Sequence, residues 1–411
     1  MEQLTKRTAL YAGIASFSGF LFGFDTVVIS GADKILQDLW QTSDLFHGGI
    51  VMSMALWGTV LGAIFGHIPT NILGRKKSLI SIGILFTLSA AGTALAQGPW
   101  FFAIARFLGG IGIGVSTIAA PSYISEISPA RFRGRLVGLY QFNIVFGIVI
   151  AFLSNFLLKD VGPNAWRYML GVQIVPSVIF ALAGLILPES VRWETAKHSI
   201  SNERIYDTSY RKVLWLSFFV AFFNQLSGIN AFLYYAPRIF DLAGLNEKAA
   251  HLSSVGVGLV NLCFTFLGVA LVDKVGRKKL MYIGGVGYIC SLGLVTASFH
   301  WQWNEELVPY FFFLFIAAHA IGQGTVIWVF ISELFPDHLR AAGQGFGSTI
   351  HWILAALIPA LIPYLFEQIG ADIVFAIFCL AMCAQLIWIY WFMPETRGKS
   401  IEEITAELTR S

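Results

Sequence analysis

Residues 99–135, PWFFAIARFLGGIGIGVSTIAAPSYISEISPARFRGR, decide the fold of this chain. An apolar run holds a single cation, Arg106, and is followed by a cluster of glycines and, from Glu126, by a polar loop. An arginine inside an apolar segment of membrane length is costly, so it normally faces a partner or a wet cavity. Small residues such as glycine let neighbouring helix backbones approach closely. The stretch therefore predicts a closely packed membrane helix with one cation turned toward a partner or water.

The composition is that of a membrane protein. Hydrophobic residues make up 56% of the chain and charged residues 12%, against about 25% charged residues in globular proteins. These values exclude a soluble enzyme. Apolar segments of membrane length predict helices, because an open sheet cannot satisfy its backbone in lipid. Twelve spans are predicted, at residues 10–31, 48–68, 78–97, 99–124, 136–158, 165–187, 213–236, 250–272, 279–299, 308–334, 343–366 and 372–392.

The Lys and Arg residues between the spans indicate the orientation of the chain. With both termini in the cytoplasm, the cytoplasmic segments carry 21 of the 27 Lys and Arg residues and the outer segments carry 5. Cytoplasmic loops of membrane proteins carry such an excess of positive charge. We therefore expect a multi-pass protein of the cell inner (plasma) membrane with both termini cytoplasmic.

The two halves of the chain carry the same motifs in the same order. The motifs recur at offsets of 202, 207 and 206 residues: Gly74-Arg75-Lys76 and Gly276-Arg277-Lys278, Glu126 and Glu333, and Pro188-Glu189 and Pro394-Glu395. Parallel repeats of this kind place a substrate near the membrane midplane between the halves. The predicted organisation is an N-terminal six-helix bundle (1–190), a shortened cytoplasmic linker (191–211), a C-terminal six-helix bundle (212–393) and a cytoplasmic tail (394–411).

Several further motifs accompany these repeats. They are Phe22-Gly23-Phe24-Asp25, Gly31, Arg106 to Gly110, Pro121 to Gly134, Gln225 to Asn230, Asp273 to Arg277 and Pro394 to Lys399. Together they resemble the sugar porter family of the major facilitator superfamily, which includes bacterial proton–sugar symporters and facilitative glucose transporters. The resemblance covers nearly the whole chain. It implies an all-α integral membrane protein with twelve transmembrane helices in two pseudo-symmetric six-helix halves, which transports its substrate by alternating access.

The chain departs from the family pattern at a few positions. Asn71 stands where the superfamily usually has Asp, and Val191 interrupts the family's Pro-Glu-Ser-Pro-Arg motif. The central loop from Glu194 to Arg211 has room for about one helix, where family members carry a bundle of short cytoplasmic helices. The shortened loop argues against an intracellular latch built from those helices.

Asp25 and Arg106 are candidate proton-coupling residues. Asp25 is the only acidic residue well inside the first span, and Arg106 is the only basic residue deep in any span. At about 1.5 Å per residue both lie about 8–9 Å below the same surface of a core of about 30 Å, so they can pair. One interpretation is a proton site in which protonation of Asp25 releases Arg106. The resemblance supports it, because proton-coupled members keep an acid here. The alternative is a permanent structural ion pair.

A monosaccharide site needs uncharged hydrogen-bonding groups for the hydroxyls and aromatic faces for the C–H groups. A single Asn or Trp in a membrane more often packs helices or anchors an interface. The resemblance nevertheless assigns sugar contact to six positions, and Asn224 and His351 stand where many members have other residues. The substrate-binding candidates are Gln141, Asn224, Gln225, Asn230, Asn261, Trp328, His351 and Trp352. His319 and His67 are assigned to packing.

Charged residues at the predicted cytoplasmic helix ends form a candidate gating network. The resemblance implies that they pair between neighbouring helices when the inside is closed and separate when it opens. The alternative is that they only set the topology. An exposed ion pair is worth under about 1 kcal/mol, so only a network biases the two states usefully. The candidates are Arg75, Glu126, Arg133, Asp273, Arg277, Glu333 and Arg340.

The sequence carries no dinucleotide-binding, Walker-type or His-Glu-x-x-His motif, so an enzyme or an ATP-driven pump is not expected. Cys379 and Cys383 are predicted to be small membrane hydrophobes, and no metal site is expected. The predicted function is proton-coupled symport of a monosaccharide, a hexose or a pentose. Its partners are the sugar, protons and the lipid bilayer, without nucleic acid or a cofactor beyond the coupling proton, and it is expected to function as a monomer. The alternatives are a facilitative sugar uniporter and a non-transporting sugar receptor.

Overall fold

The structure is a computed structural model. It describes residues 4–129, 131–196, 210–336, 339–399, 403–404 and 407–408. Within these residues every regular element is a helix, which confirms the all-α prediction. Residues 197–209 of the predicted linker, and residues 400–402, 405–406 and 409–411 of the predicted tail, lie outside the described residues.

Each of the twelve predicted spans coincides with a helix or a helix pair in the described part of the chain. Eleven helices are long and apolar enough to cross a membrane, and one further span is a pair of helices bent by 41° at a break. Spans 1 to 12 are Lys6–Gly31, the pair Asp44–Met52 and Met54–Phe65, Arg75–Leu95, Pro99–Ile127, Arg133–Leu158, Ala165–Gly184, Arg211–Leu242, Glu247–Val275, Arg277–His300, Glu305–Leu334, Ala342–Ile369 and Ala371–Trp391. Most extend beyond the predicted segment, because polar residues form their first turns.

The ends of the spans follow local sequence signals. The Asn246 side chain caps span 8 by accepting a hydrogen bond from the backbone N–H of Ala249 at 3.0 Å. Pro99 opens span 4, where a missing backbone N–H costs little. Gly74 and Gly276 separate spans 2 and 3 and spans 8 and 9 with φ of 91° and 103°, a region that favours glycine. The repeated Gly-Arg-Lys motif therefore provides the turn between consecutive spans in each half.

Spans 2, 7 and 10 are interrupted within their length. In span 2 residues His47–Met52 form a π-helix before the break. In span 7 the helix Arg211–Leu226 is followed by Gly228, with a φ of 81°, and then by Ile229–Leu242. In span 10 the break lies at Gly322. Such interruptions are frequent at functional sites, because they free backbone groups and redirect side chains.

The glycine cluster that follows Arg106 packs span 4 closely against span 2. A side chain at Gly110 would overlap the backbone carbonyl of Ala55. A side chain at Gly114 would overlap the backbone of Gly62 and Ala63. The close approach of helix backbones that these glycines predict is confirmed.

The chain divides into two compact units. The first comprises Met1–Ser199 together with Tyr234–Arg238, and the second comprises Ile200–Leu233 together with Ile239–Ser411. Each unit has its own aromatic core: Trp166 is fully buried in the first, and Phe232 stacks on Phe312 in the second with ring centroids 4.2 Å apart. The sequence-predicted domain boundaries at 190, 211 and 393 stay predictions.

Candidate functional site

The break in span 7 is surrounded by amide side chains of the second unit. Gln225 Nε2 donates to Asn224 Oδ1 at 2.9 Å, and Asn230 Nδ2 donates to Gln225 Oε1 at 2.8 Å. Asn224 and Gln225 are buried, whereas Asn230 is partly exposed. The first two residues end one helix and Asn230 begins the next, so the interruption at Gly228 lets amides from its two sides meet.

Aromatic side chains from spans 10 and 11 continue this cluster. Gln225 Nε2 lies 3.1 Å from His351 Nδ1. The His351 ring is 5.0 Å from the Trp328 ring and 5.0 Å from the Trp352 ring, centroid to centroid. Trp328 and His351 are partly exposed, whereas Trp352 is buried. The structure thus brings together six of the eight substrate-binding candidates, which we call the amide–aromatic cluster: Asn224, Gln225, Asn230, Trp328, His351 and Trp352.

The chemistry of the amide–aromatic cluster suits a neutral, polyhydroxylated ligand. Uncharged amides both donate and accept hydrogen bonds, and indole rings offer flat apolar faces. Asn230, Trp328 and His351 are the partly exposed members of the cluster. The described residues contain no group of three or more His, Cys, Asp or Glu side chains that could hold a metal ion.

The remaining two substrate-binding candidates are Asn261 and Gln141. Asn261 is buried on span 8 and accepts a hydrogen bond from Thr265 Oγ1 of the same helix at 3.4 Å. Gln141 lies on span 5 of the first unit and is partly exposed. Their contribution to substrate binding stays a prediction.

Gln323 is a further buried amide at the break in span 10. It is 1% exposed, and among the described residues neither its amide nitrogen nor its amide oxygen has a hydrogen-bond partner. A buried amide without partners costs about 1–3 kcal/mol.

Asp25 and Arg106 form a buried ion pair in the first unit. Arg106 Nη1 donates to Asp25 Oδ1 at 2.8 Å, and Arg106 Nη2 donates to the backbone carbonyl of Asp25 at 3.0 Å. Both side chains are 1% exposed. Within the described residues, Asp25 Oδ2, Arg106 Nε and the buried Tyr234 hydroxyl have no hydrogen-bond partner. The carboxylate thus keeps one oxygen unsatisfied, although the pair itself is well formed.

The charged end of the first unit is organised around Arg75 at the start of span 3. Its side chain donates to both carboxylate oxygens of Glu126, with the shortest contact at 2.9 Å, and to Asn71 Oδ1 at 3.0 Å. Glu189 accepts the backbone N–H groups of Arg75 and Lys76 at 2.9 and 3.1 Å. The first two residues of span 3 are therefore tied to the helix His67–Ile72 that follows span 2, to span 4 and to the segment after span 6.

The second unit repeats this arrangement. Arg277 contacts Glu333 at 2.6 Å and Asp273 at 3.0 Å. Glu395 accepts the backbone N–H groups of Arg277 and Lys278 at 2.9 and 3.1 Å. Asp273 and Asn71 occupy equivalent positions, and each offers a side-chain oxygen to the arginine. The replacement of the family's Asp by Asn71 thus keeps the hydrogen bond and removes the charge.

Comparison with protein families assigns the chain as a whole. The family described as "Sugar (and other) transporter" matches residues 11–208 and 194–408. The chain belongs to this sugar transporter family. It is a sugar porter of the major facilitator superfamily and a multi-pass membrane protein, not an enzyme.

Relatives and solved structures with the same architecture are numerous. The arabinose-proton symporter of Bacillus subtilis (strain 168) is 34% identical over 430 residues, which cover 95% of this chain and 92% of the relative. The galactose-proton symporter of Escherichia coli (strain K12) is 30% identical over 436 residues, covering 97% and 93%. A crystal structure of a D-xylose-proton symporter matches with a TM-score of 0.85 and 29% identity, covering 95% of this chain and 99% of that chain.

Arg133 and Arg340 are the two further arginines of the predicted gating network. Glu126 and Glu333 are bound by Arg75 and Arg277, as described above. Arg133 Nε is buried and has no hydrogen-bond partner among the described residues, and Arg340 Nε donates to the Ser332 backbone carbonyl at 3.2 Å. The gating role of the whole network stays a prediction.

Sequence reasoning missed two polar contacts of the sugar transporter. His319, assigned to packing alone, has its Nδ1 2.5 Å from the Tyr288 hydroxyl. Asp33, His47 and Arg238 form a buried cluster in the first unit. These three residues lie outside the family motifs and far apart in the chain. The signal available in the sequence was that all three side chains are ionisable and lie next to an end of predicted span 1, 2 or 7.

Proposed function

We propose that this sugar transporter is a proton-coupled monosaccharide symporter that works by alternating access. The amide–aromatic cluster is the proposed sugar site, because it presents uncharged donors and acceptors beside aromatic rings. Gln141 and Asn261 are proposed as additional contacts. The relatives named arabinose-proton, galactose-proton and D-xylose-proton symporters support a hexose or a pentose as substrate.

The observation that carries proton coupling is the buried Asp25–Arg106 pair. The cost of removing two charges from water offsets much of the attraction between them. Stability alone therefore explains the buried Asp25–Arg106 pair poorly. Burial disfavours the carboxylate form of Asp25, while the guanidinium of Arg106 favours it. A carrier that separates the two residues in one state and joins them in another changes its proton affinity during the cycle. The proton serves as the coupling ion, with no other cofactor.

A facilitative uniporter is the second candidate. It is favoured by the completeness of the Asp25–Arg106 contact, in which the arginine holds both the side chain and the backbone carbonyl of Asp25. A contact of this kind also fits a permanent structural pair between spans 1 and 4. The two functions differ in one measurable property, which is accumulation of sugar against its gradient.

The proposed setting is the cell inner (plasma) membrane, with both termini cytoplasmic and the monomer as the working unit. The distribution of Lys and Arg residues supports this orientation. Under it, the Arg75 and Arg277 networks lie at the cytoplasmic ends of the spans. Labelling of terminal tags in intact cells and in opened vesicles tests the orientation.

The deciding experiment is uptake of labelled hexoses and pentoses into proteoliposomes, with and without a pH gradient. A symporter accumulates its sugar only when the gradient is present and drives protons inward with it. A uniporter equilibrates the sugar at the same final level in both cases. Uptake that ignores the gradient for every transported sugar would reject proton coupling and leave the uniporter.

A further inference from the structure

The first unit contains a second buried charge cluster that the proposed sugar and proton sites do not use. Asp33 follows the end of span 1, His47 begins the π-helix of span 2, and Arg238 belongs to the segment Tyr234–Arg238. His47 Nε2 lies 2.8 Å from Asp33 Oδ1, and Arg238 Nε lies 2.6 Å from Asp33 Oδ2. One carboxylate is thus shared by a histidine and an arginine.

Further polar contacts complete the cluster. Arg238 Nη2 donates to Asp33 Oδ1 at 3.0 Å and also to Gln37 Oε1. Gln37 Nε2 in turn donates to Asp44 Oδ1 at 2.7 Å. The Nη2 group of the arginine therefore donates to one oxygen of Asp33 and to one oxygen of Gln37, while its Nε lies close to the second oxygen of Asp33 as an ion-pair contact without hydrogen-bond geometry.

The cluster connects a short, bent segment of span 7 to the first unit. The residues around this segment belong to the second unit, so the chain enters the first unit at Tyr234 and leaves it after Arg238. Tyr235 has non-helical angles (φ −121°, ψ 19°), and Pro237 follows inside the helix. The segment is thus kinked relative to the rest of span 7. Within the described residues, Arg238 of this segment forms an ion pair with Asp33.

The charge balance of the cluster depends on His47. With a neutral imidazole, Asp33 and Arg238 compensate each other. Protonation of His47 adds a second cation to the same carboxylate, and an uncompensated buried charge is costly. The side chains of His47 and Asp33 are 0% and 1% exposed, and that of Arg238 is 11% exposed, so Arg238 is the cation that reaches water more easily.

Few other charged groups act on His47 in the described structure. Asp33 contacts it directly, and Thr42 Oγ1 lies 3.4 Å from its Nδ1. Tyr235 and Arg238 face Asp33 from span 7, and Asp44 is reached through Gln37. Span 4 also packs against the π-helix, and its buried cation, Arg106, is paired with Asp25.

We infer that Asp33, His47 and Arg238 form a pH-sensitive ionic latch, which holds the segment Tyr234–Arg238 in the first unit. Protonation of His47 weakens this latch. The latch regulates when this end of span 7 is released during the transport cycle. Its action is independent of the coupling role proposed for Asp25. It therefore adds a second proton-responsive element, at His47, to the transporter.

The test is a distance measurement between spin labels in the full-length protein. Labels are placed at Leu39 and Leu242, which are 53% and 50% exposed, after replacement of the four native cysteines. Distances are recorded at about pH 8 and about pH 5.5, which bracket the usual titration of histidine. Arg238→Gln removes the latch cation, His47→Gln removes the imidazole, and His67→Gln repeats the latter change at an exposed histidine that follows span 2.

We expect Arg238→Gln to raise the released population about tenfold at high pH, equivalent to about 1.4 kcal/mol. Arg238→Lys, which keeps the charge but loses the guanidinium group, should give an intermediate shift. The parent protein and His67→Gln should gain released population on acidification, and His47→Gln should not. The response should persist in an Asp25→Asn background, which separates this latch from the proposed coupling.

Two results would overturn the inference. Unchanged distances in both Arg238→Gln and Arg238→Lys would mean that the cluster does not hold the segment. An acid response that survives in His47→Gln, or that is absent from the parent protein, would mean that His47 does not control the latch.

Discussion

Gln225 is the amide on which the other members of the amide–aromatic cluster converge. Its oxygen accepts from Asn230, and its nitrogen lies within hydrogen-bonding distance of Asn224 and His351. Removal of such a residue leaves several buried polar groups without a partner. The loss then includes the desolvation cost of those groups, which exceeds the net value of an ordinary hydrogen bond.

We expect Gln225→Ala to weaken sugar binding by about 5–150-fold, equivalent to about 1–3 kcal/mol. Isothermal calorimetry on the purified protein measures this change directly. Gln368→Ala is the matched control, because Gln368 lies on span 11 of the same unit and is exposed. Equal affinities in both variants and the parent would place the sugar elsewhere.

Trp352 tests the aromatic half of the same site. Its ring packs edge-on against His351 at 5.0 Å and is 5% exposed. Trp352→Ala removes an apolar face and should lower sugar affinity by an amount similar to that of Gln225→Ala, while Trp352→Phe, which keeps a flat ring, should retain most of it. The same calorimetry distinguishes the two. A phenylalanine variant as weak as the alanine variant would show that the ring face itself is not the contact.

The residues of the amide–aromatic cluster were singled out from the sequence, but their contacts with one another were not predictable from it. The resemblance pointed to Gln225, Trp328 and Trp352 one residue at a time. That His351 lies between two tryptophans and reaches Gln225 depends on how spans 7, 10 and 11 pack. No spacing along the chain encodes that arrangement.

At the level of elements, apolar length was a sufficient guide to the spans and a poor guide to their interruptions. Every predicted span matches a helix or helix pair of the described chain, because the bilayer imposes both length and polarity. The break in span 7 falls at Gly228, a residue type that tolerates its φ of 81°. The π-helix at His47–Met52 and the kink at Tyr235 leave no trace in hydrophobicity, since they depend on local backbone hydrogen bonds and on tertiary contacts.

The turn glycine Gly74 gives the element-level prediction. It has a φ of 91°, and a side chain there would overlap the carboxylate of Glu189. Gly74→Ala should therefore destabilise the protein by about 1–2 kcal/mol from backbone strain alone, before the loss of contacts to Glu189 is added. A lower thermal unfolding midpoint in detergent is the expected result.

Gly98→Ala is the control for this substitution. Gly98 precedes span 4 with an extended φ of −160°, and an added side chain there meets no atom within 4 Å. Its unfolding midpoint should match that of the parent. If Gly74→Ala also unfolds at the parent midpoint, the turn tolerates a side chain and the Gly-Arg-Lys motif is not required for the backbone.

At the scale of the whole molecule, the internal repeat explains what the sequence predicted and what it could not. Arg75 with Glu126 and Arg277 with Glu333 are equivalent pairs. The repeat of these residues at offsets of 202 and 207 positions already indicated that both halves carry the same charged groups. The Asp33–Arg238 contact joins residues 205 positions apart, and the repeat supplies no second copy to compare. A single long-range contact of this kind becomes visible only in three dimensions.

The mechanism of the whole carrier depends on whether Asp25 exchanges its proton during each cycle. Asn at this position resembles the protonated acid permanently, because the amide is neutral and similar in shape. The loaded carrier would still reorient, whereas position 25 could no longer release a proton on one side of the membrane and bind a new one on the other. Net accumulation and simple exchange of sugar are therefore expected to respond differently to the same substitution.

We expect Asp25→Asn to abolish sugar accumulation driven by a pH gradient while sugar binding and sugar-for-sugar counterflow persist. Both properties are measured in proteoliposomes loaded with the transported sugar. Asp160→Asn is the control, because Asp160 is an exposed aspartate of the same unit in contact with Lys159, and it should leave both properties intact. If Asp25→Asn still concentrates sugar, the coupling proton binds elsewhere. If it loses counterflow as well, the Asp25–Arg106 pair is needed for the structure of the carrier, and its role in coupling is not supported.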